Sequence, residues 1–387
     1  MNKLLIATAV LASFSANAGL GRADRSVQQH KEFALQSKFD FACHMNAGSA
    51  TLIDPFWVIT ADHVSGAKSE NYQNRVTCSS FEKDEDGVFH QVKSVSAITD
   101  PNGEYGEYEF TSPDGRDFAL VRLDTPITGI KPAKLPVEGM FDPKEHYKVN
   151  QIGYGNYNGR NGGTKYVYLD RHNRWVTPLV FDDAYTPQTD LQWHSILGDS
   201  GSGITVEKDG EFYILGEIGI QIGARYWFDT FENTLTRLDF IKQTMQTHGF
   251  SYVEEVKLDE VKWTPASPEN SEDYHAYFSY WKAESFDFNG TGWYDNGGIY
   301  ATAYATPGER YSIEFVVPKQ AEIPAFDLIV DGRIVAANVD VNSFDSDAIK
   351  VTVNEFELKG EAIKVEMQPV GNLEGKGRIS LDYFAIK

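Results

Sequence analysis

Cysteine is nearly absent from this 387-residue chain, which has two, and cations are scarce, with 35 Lys and Arg against 56 Asp and Glu. Two thiols, Cys43 and Cys78, are too few soft ligands for a metal site. The formal charge of −21 argues against nucleic acid and anionic membrane as partners, because attraction to phosphate needs Lys and Arg. Long hydrophobic runs are missing as well. The one apolar stretch, from Leu4 to Phe14, is too short to span a bilayer, so no membrane span is expected.

What that stretch does offer is a secretory layout. Lys3 precedes it, and Ala16-Asn17-Ala18 closes it with small residues, so residues 1–18 read as a signal peptide cut before Gly19. The expected destination is extracellular, with the periplasm as the alternative. An oxidising compartment makes a Cys43–Cys78 bridge the default reading.

The rest of the chain is too long for one compact core and divides by pattern. From about Phe39 to Thr205, short β-branched or aromatic runs alternate with turn residues, as in Trp57-Val58-Ile59-Thr60 after Asp54-Pro55 and Phe118-Ala119-Leu120-Val121 after Asp114-Gly115. That is an all-β pattern. Leu235, Leu238, Ile241 and Met245 then fall on one helical face, and Gly249 stops the helix. Residues 249–282, acidic and broken by Pro265 and Pro268, read as a linker. Strand alternation resumes at Tyr311, Ile313, Phe315 and Val317 and again before Asp331-Gly332, which predicts a small β-sandwich over 283–387.

Three segments carry the chemistry: Trp57-Val58-Ile59-Thr60-Ala61-Asp62-His63, then Gly115-Arg116-Asp117-Phe118-Ala119-Leu120-Val121, then Gly198-Asp199-Ser200-Gly201-Ser202-Gly203. A Ser hydroxyl is a weak nucleophile until a base takes its proton, and His has the right pKa for that role. An Asp is then needed to fix the imidazole tautomer. Each segment alone is weak. In this order they resemble the chymotrypsin-like (trypsin-like) serine proteases, over roughly residues 38–248.

The resemblance implies a two-barrel, all-β protease domain over 19–248 with a closing helix, and a serine endopeptidase acting on protein or peptide substrates without a cofactor. It assigns His63, Asp117 and Ser200 as the catalytic triad and the N–H groups of Gly198 and Ser200 as the oxyanion hole. It puts His194, six residues before the nucleophile, at the base of the substrate pocket. It also makes Asp199 the partner of a new N-terminal amine, freed at Gly19 or after Arg22 or Arg25. An internal cation or hydrogen-bond set is the alternative for Asp199. Several residues depart from the pattern. Asp62 replaces a small residue before His63 and could compete for the imidazole, and Ile-Val-Gly-Gly is missing upstream.

The C-terminal strands are loosely similar to galactose-binding-like carbohydrate-binding modules, with Trp293 and Tyr294 as candidates to stack on sugar rings. A plain accessory domain is an equal reading, and a glycan- or surface-binding protein on a degenerate protease fold is the rival to the enzyme. A chaperone-protease would need a helical peptide-binding domain that these strands do not offer.

Overall fold

The computed structural model describes residues 20–21, 24–66, 75–99, 108–155, 159–177, 189–219 and 229–256. Beyond these it describes 276–280, 285–287, 291–294, 299–304, 310–319, 325–340, 343–344, 346–357, 362–370, 377–380 and 383–386. Antiparallel strands dominate throughout.

The first half is one seven-stranded sheet in the order Phe89–Ile98, Arg75–Lys83, Ala42–Met45, Gly48–Asp54, Trp57–Thr60, Ala119–Arg122, Glu109–Thr111. It encloses an apolar cluster that includes Phe39, Met45, Leu52, Val58, Val76 and Val121, all buried. Cys43 and Cys78 face each other across adjacent strands and are disulfide-bonded, as the sequence led one to expect.

The second half is a closed barrel of Asn161–Leu169, Trp175–Val176, Thr230–Asn233, Glu211–Ile218, Gly203–Lys208 and Tyr147–Gly153. Val149, Val167, Trp175, Ile204, Leu215 and Phe231 fill it. Asp209-Gly210 turns the hairpin between two of these strands with both residues at positive φ (53° and 78°), the conformation a tight two-residue turn requires. The predicted helix forms as Leu238–His248, and Ile241 seats it among Trp57, Ile59, Phe118 and Ile214, where the two halves meet.

The remaining strands form sheets of four, five and three. The sequence reading placed 249–282 in a linker, but Ser251–Val256 is a strand that pairs with Ala348–Glu357 from Ser251↔Val353 to Val256↔Ala348. Its partner lies about a hundred residues downstream, so nothing local in the sequence could announce it. Ala337 of this C-terminal region joins the core around Trp57, and Ser251 Oγ donates to Val335 O at 2.7 Å. Trp293 and Tyr294 lie in the strand Thr291–Tyr294, but their side chains fall outside the described residues.

A short segment at the start of the chain is docked on the second barrel. Leu20–Gly21 pairs with Trp193–His194, Leu20 opposite His194. The helix Val27–Ala34 follows, opened by a capping box in which Ser26 and Gln29 satisfy each other's backbone N–H groups. Its buried His30 lies 3.0 Å from Gly162 O and packs on Trp193.

Candidate active site

Strand register brings the first two candidate residues together. Trp57–Thr60 pairs with Ala119–Arg122 so that Thr60 faces Ala119. The residues just past Thr60 therefore lie beside those just before Ala119. His63 sits on the short helix Asp62–Ser65, and its backbone N–H donates to Asp117 Oδ1 at 3.0 Å. Its Nδ1 lies 2.8 Å from Asp117 Oδ2 and 3.0 Å from Oδ1, so Nδ1–H donates to the carboxylate and Nε2 is left as the basic nitrogen.

Ser200 comes from the turn that leads into Gly203–Lys208 of the barrel. Gly201, at φ 81°, lets that turn lie flat on Ser49 and on the strand that leads to His63: a Cβ there would meet Ser49 O at 2.1 Å and Thr60 Oγ1 at 2.2 Å. The turn is held from both halves of the molecule. Ser49 N–H donates to Ser200 O at 2.8 Å, and Gly201 N–H donates to Ile218 O at 2.7 Å. The next residue in that strand's path, Gly219, backs directly onto Asp117, where a Cβ would lie 3.2 Å from Oδ2. Gly198 takes φ 95°. Among the described residues the N–H groups of Gly198 and Ser200 donate to no protein acceptor, and no hydrogen bond joins Ser200 to His63.

The electrostatics favour His63 as a base that holds its proton well. The Asp117 hydrogen bond raises its pKa from 6.5, against burial and with smaller help from the Asp117 and Asp62 charges. Burial works on Asp117 in the opposite sense, but the hydrogen bonds and charge of His63 outweigh it and hold the carboxylate below 3.8. Asp62 contributes only a field, because the hydrogen bonds of His63 go to Asp117.

Asp199 is fully buried and accepts N–H bonds from Gly155 at 2.9 Å and Ile196 at 3.1 Å. Burial raises its pKa to about 6, with those bonds and Lys165 opposing. His194 stands over a buried ion pair that the sequence did not disclose. Its Nδ1 lies 3.6 Å from Asp229 Oδ2, and Asp229 is bonded to the fully buried Lys165. Lys165 also donates to Gln151 Oε1 at 2.5 Å, and Ser195 N–H donates to Asp229. Burial pushes Asp229 up, but Lys165 and His194 hold it far below its ordinary 3.8. His194 Nε2 is buried with no partner among the described residues. Asp229 interrupts the run Trp227-Phe228-Asp229-Thr230-Phe231, the one signal that could have marked the pair; Lys165 follows Gly162-Gly163-Thr164 and carries none.

Residues 25–216 match the trypsin family model. Residues 25–216 form a trypsin-family domain. The match begins thirteen residues before the resemblance read from the sequence and stops at Gly216, ahead of the closing helix. It gives the chain a serine-protease fold. Nothing in it bears on the C-terminal strands. Among the described residues no group of three or more His, Cys, Asp and Glu could hold a metal, and no helix is long and apolar enough to cross a membrane.

Proposed function

We propose that the protein is a secreted serine endopeptidase that cleaves peptide bonds through an acyl-enzyme on Ser200. The observation that carries this is the His63–Asp117 pair, hydrogen-bonded at the seam of the two halves, with the Ser200 turn anchored to both. Ser200 Oγ attacks the scissile carbonyl carbon as His63 Nε2 takes its proton. The carbonyl oxygen becomes an oxyanion facing the N–H groups of Gly198 and Ser200. Losing one such donor costs about 3 kcal/mol in barrier. The C–N bond then breaks, and the proton on His63 passes to the leaving amine. Water, activated in turn by His63, hydrolyses the ester. Asp117 keeps the imidazole in the productive tautomer and stabilises the imidazolium. No step calls for a cofactor.

Two features of the same site refine the reading. Leu20 lies opposite His194, five residues before Asp199, which docks the Leu20–Gly21 strand beside the segment that leads to that carboxylate. Gly19 itself lies outside the described residues. Cutting after Arg22 or Arg25 would discard the Leu20–Gly21 strand. Signal cleavage therefore serves as the activating cut, and the amine supplies the cation that Asp199 otherwise lacks in its backbone shell. His194, with Nδ1 3.6 Å from Asp229 and Nε2 buried and unpartnered among the described residues, stands at the base of the substrate pocket in this reading. For the C-terminal strands, glycan binding rests on sequence similarity alone.

A serine-directed phosphonate probe tests the enzyme reading: an adduct on Ser200 is expected. No adduct would favour a binding protein on a degenerate fold. Extending the mature N-terminus by a few residues tests the activation step. Peptide hydrolysis as fast as that of the native form would leave Asp199 to its hydrogen bonds alone.

A further inference from the structure

The strand Glu211–Ile218 ends at the active site, and its penultimate residue is a carboxyl group with no evident place there. Glu217 is fully buried, and neither of its side-chain oxygens has a hydrogen-bond partner among the described residues. Its surroundings are mostly acidic. Across the sheet it faces Glu232 on Thr230–Asn233, and Gly203 opposite it on the other side carries no charge. Asp117 bears on it from the loop before Ala119–Arg122, and Arg237 from the turn Leu235–Arg237. Arg237 is already committed elsewhere. It donates to Asp114 at 2.8 Å, Glu232 at 3.1 Å, Asn233 O at 2.7 Å and Ser112 Oγ at 3.0 Å.

A charged carboxylate here would be buried, unbonded and set against Asp117. That costs several kcal/mol, so the group stays protonated instead. Burial, with Asp117 and Glu232 adding to it, does raise its pKa well above 4.5. The two residues after it explain why its charge matters. Ile218 O holds the Gly201 N–H of the nucleophile turn, and Gly219 backs Asp117.

We propose that Glu217 is a positioning residue of the catalytic centre that works only as an uncharged acid: it seats the end of the strand on which the Ser200 turn and Asp117 both rest, and its ionisation unseats them. This rests on the triad reading above. The consequence is an upper pH limit to activity set by Glu217, separate from the lower limit set by His63.

The sign of the stability effect follows from linkage. Folded Glu217 keeps a proton that the unfolded chain releases near 4.5, so folding loses stability as pH rises from there until Glu217 ionises. Glu217→Gln, which cannot ionise, escapes that loss.

The test uses the full mature chain and Glu217→Gln, with Glu217→Leu as a second uncharged variant. A parent-minus-variant infrared difference spectrum at neutral pH should show a protonated carboxyl band, which disappears at the pH where the parent loses kcat/KM. Both variants should keep activity beyond that pH while the acid limb, set by His63, stays in place. The stability gap between variant and parent should widen from about pH 4.5 and level off at the same upper pH. A missing band, an unchanged alkaline limb, or failure of both uncharged variants to fold would overturn the proposal. The band and the stability gap report on Glu217 whether or not Ser200 is a nucleophile, so failure of the enzyme reading shows separately, as an unlabelled Ser200.

Discussion

The two halves of the protease domain are stabilised by different means. The first sheet closes on an apolar cluster and a disulfide, with His63 and Asp117 at its edge. The barrel that supplies Ser200 carries Lys165, Asp229, Asp199 and Glu217, all fully or almost fully buried. Apolar burial and a covalent link are indifferent to pH. Buried ionisable groups are not, and those of the barrel pull in opposite directions. Asp229, held far below its ordinary value, adds stability that is lost as pH falls through its folded pKa. Asp199 and Glu217, both raised, cost stability as pH climbs from their ordinary values of 3.8 and 4.5 towards their folded ones. The half that carries Ser200 thus holds buried groups of opposing pH dependence, whereas the strongest shift in the first sheet is at Asp54, where burial raises the pKa to about 6.

The largest expected effect removes the chemistry and spares both halves. Ser200→Ala should fold normally and lower kcat by about 10⁴- to 10⁶-fold, with the remainder supplied by the oxyanion hole and substrate binding. Near-normal turnover on a peptide substrate would take the nucleophile role from Ser200. Next comes the charge inside the barrel. Asp229→Asn leaves Lys165 buried without its counter-charge, which should cost about 3–5 kcal/mol in urea unfolding. A cost under about 1 kcal/mol would mean that the pair does not hold the barrel as described.

The matching change in the first sheet is the double variant Cys43→Ser with Cys78→Ser. The bridge closes a loop with a sequence separation of 35, so its loss should cost about 3–4 kcal/mol on the chain-entropy model. That cost should be the same at pH 3 and pH 6, whereas the Asp229→Asn cost should shrink as pH falls below about 3.8, where Asp229 of the unfolded chain takes up its proton. Equal pH dependence in the two variants would erase the contrast between the halves.

What the sequence disclosed follows the same division. His63, Asp117 and Ser200 each sit at a strand end beside turn residues, so short-range pattern was enough to place them. The Asp209-Gly210 and Asp331-Gly332 turns were equally plain, both pairs taking positive φ. Lys165 and Asp229 meet across 64 residues, and no local pattern links a lysine in one strand to an aspartate before another. Glu217 was visible as a charged residue inside an apolar strand, but its lack of partners is a property of the packed barrel. Ser26 and Gln29, by contrast, form a capping box readable in advance, and the helix they open went unpredicted.

Asp62 gives the smallest effect and the finest test of the His63 environment. The sequence left it as a competitor of Asp117 for the imidazole, yet the hydrogen bonds of His63 all go to Asp117. What Asp62 retains is a negative charge that raises the His63 pKa, the smallest of the contributions after Asp117 and burial. Two unit charges a few ångströms apart near a surface interact by about 1 kcal/mol or less once water screens them, which bounds the effect below about one pH unit. Asp62→Asn should therefore move the acid limb of kcat/KM to lower pH by a few tenths of a unit. The sign is fixed: removing an anion makes the imidazolium easier to deprotonate, so the free base persists further into acid. Asp117→Asn should instead lower kcat by about 10⁴-fold, because it removes the acceptor that sets the tautomer. A loss of that size in Asp62→Asn, or an acid limb displaced upward, would show that Asp62 and not Asp117 orients His63 during turnover.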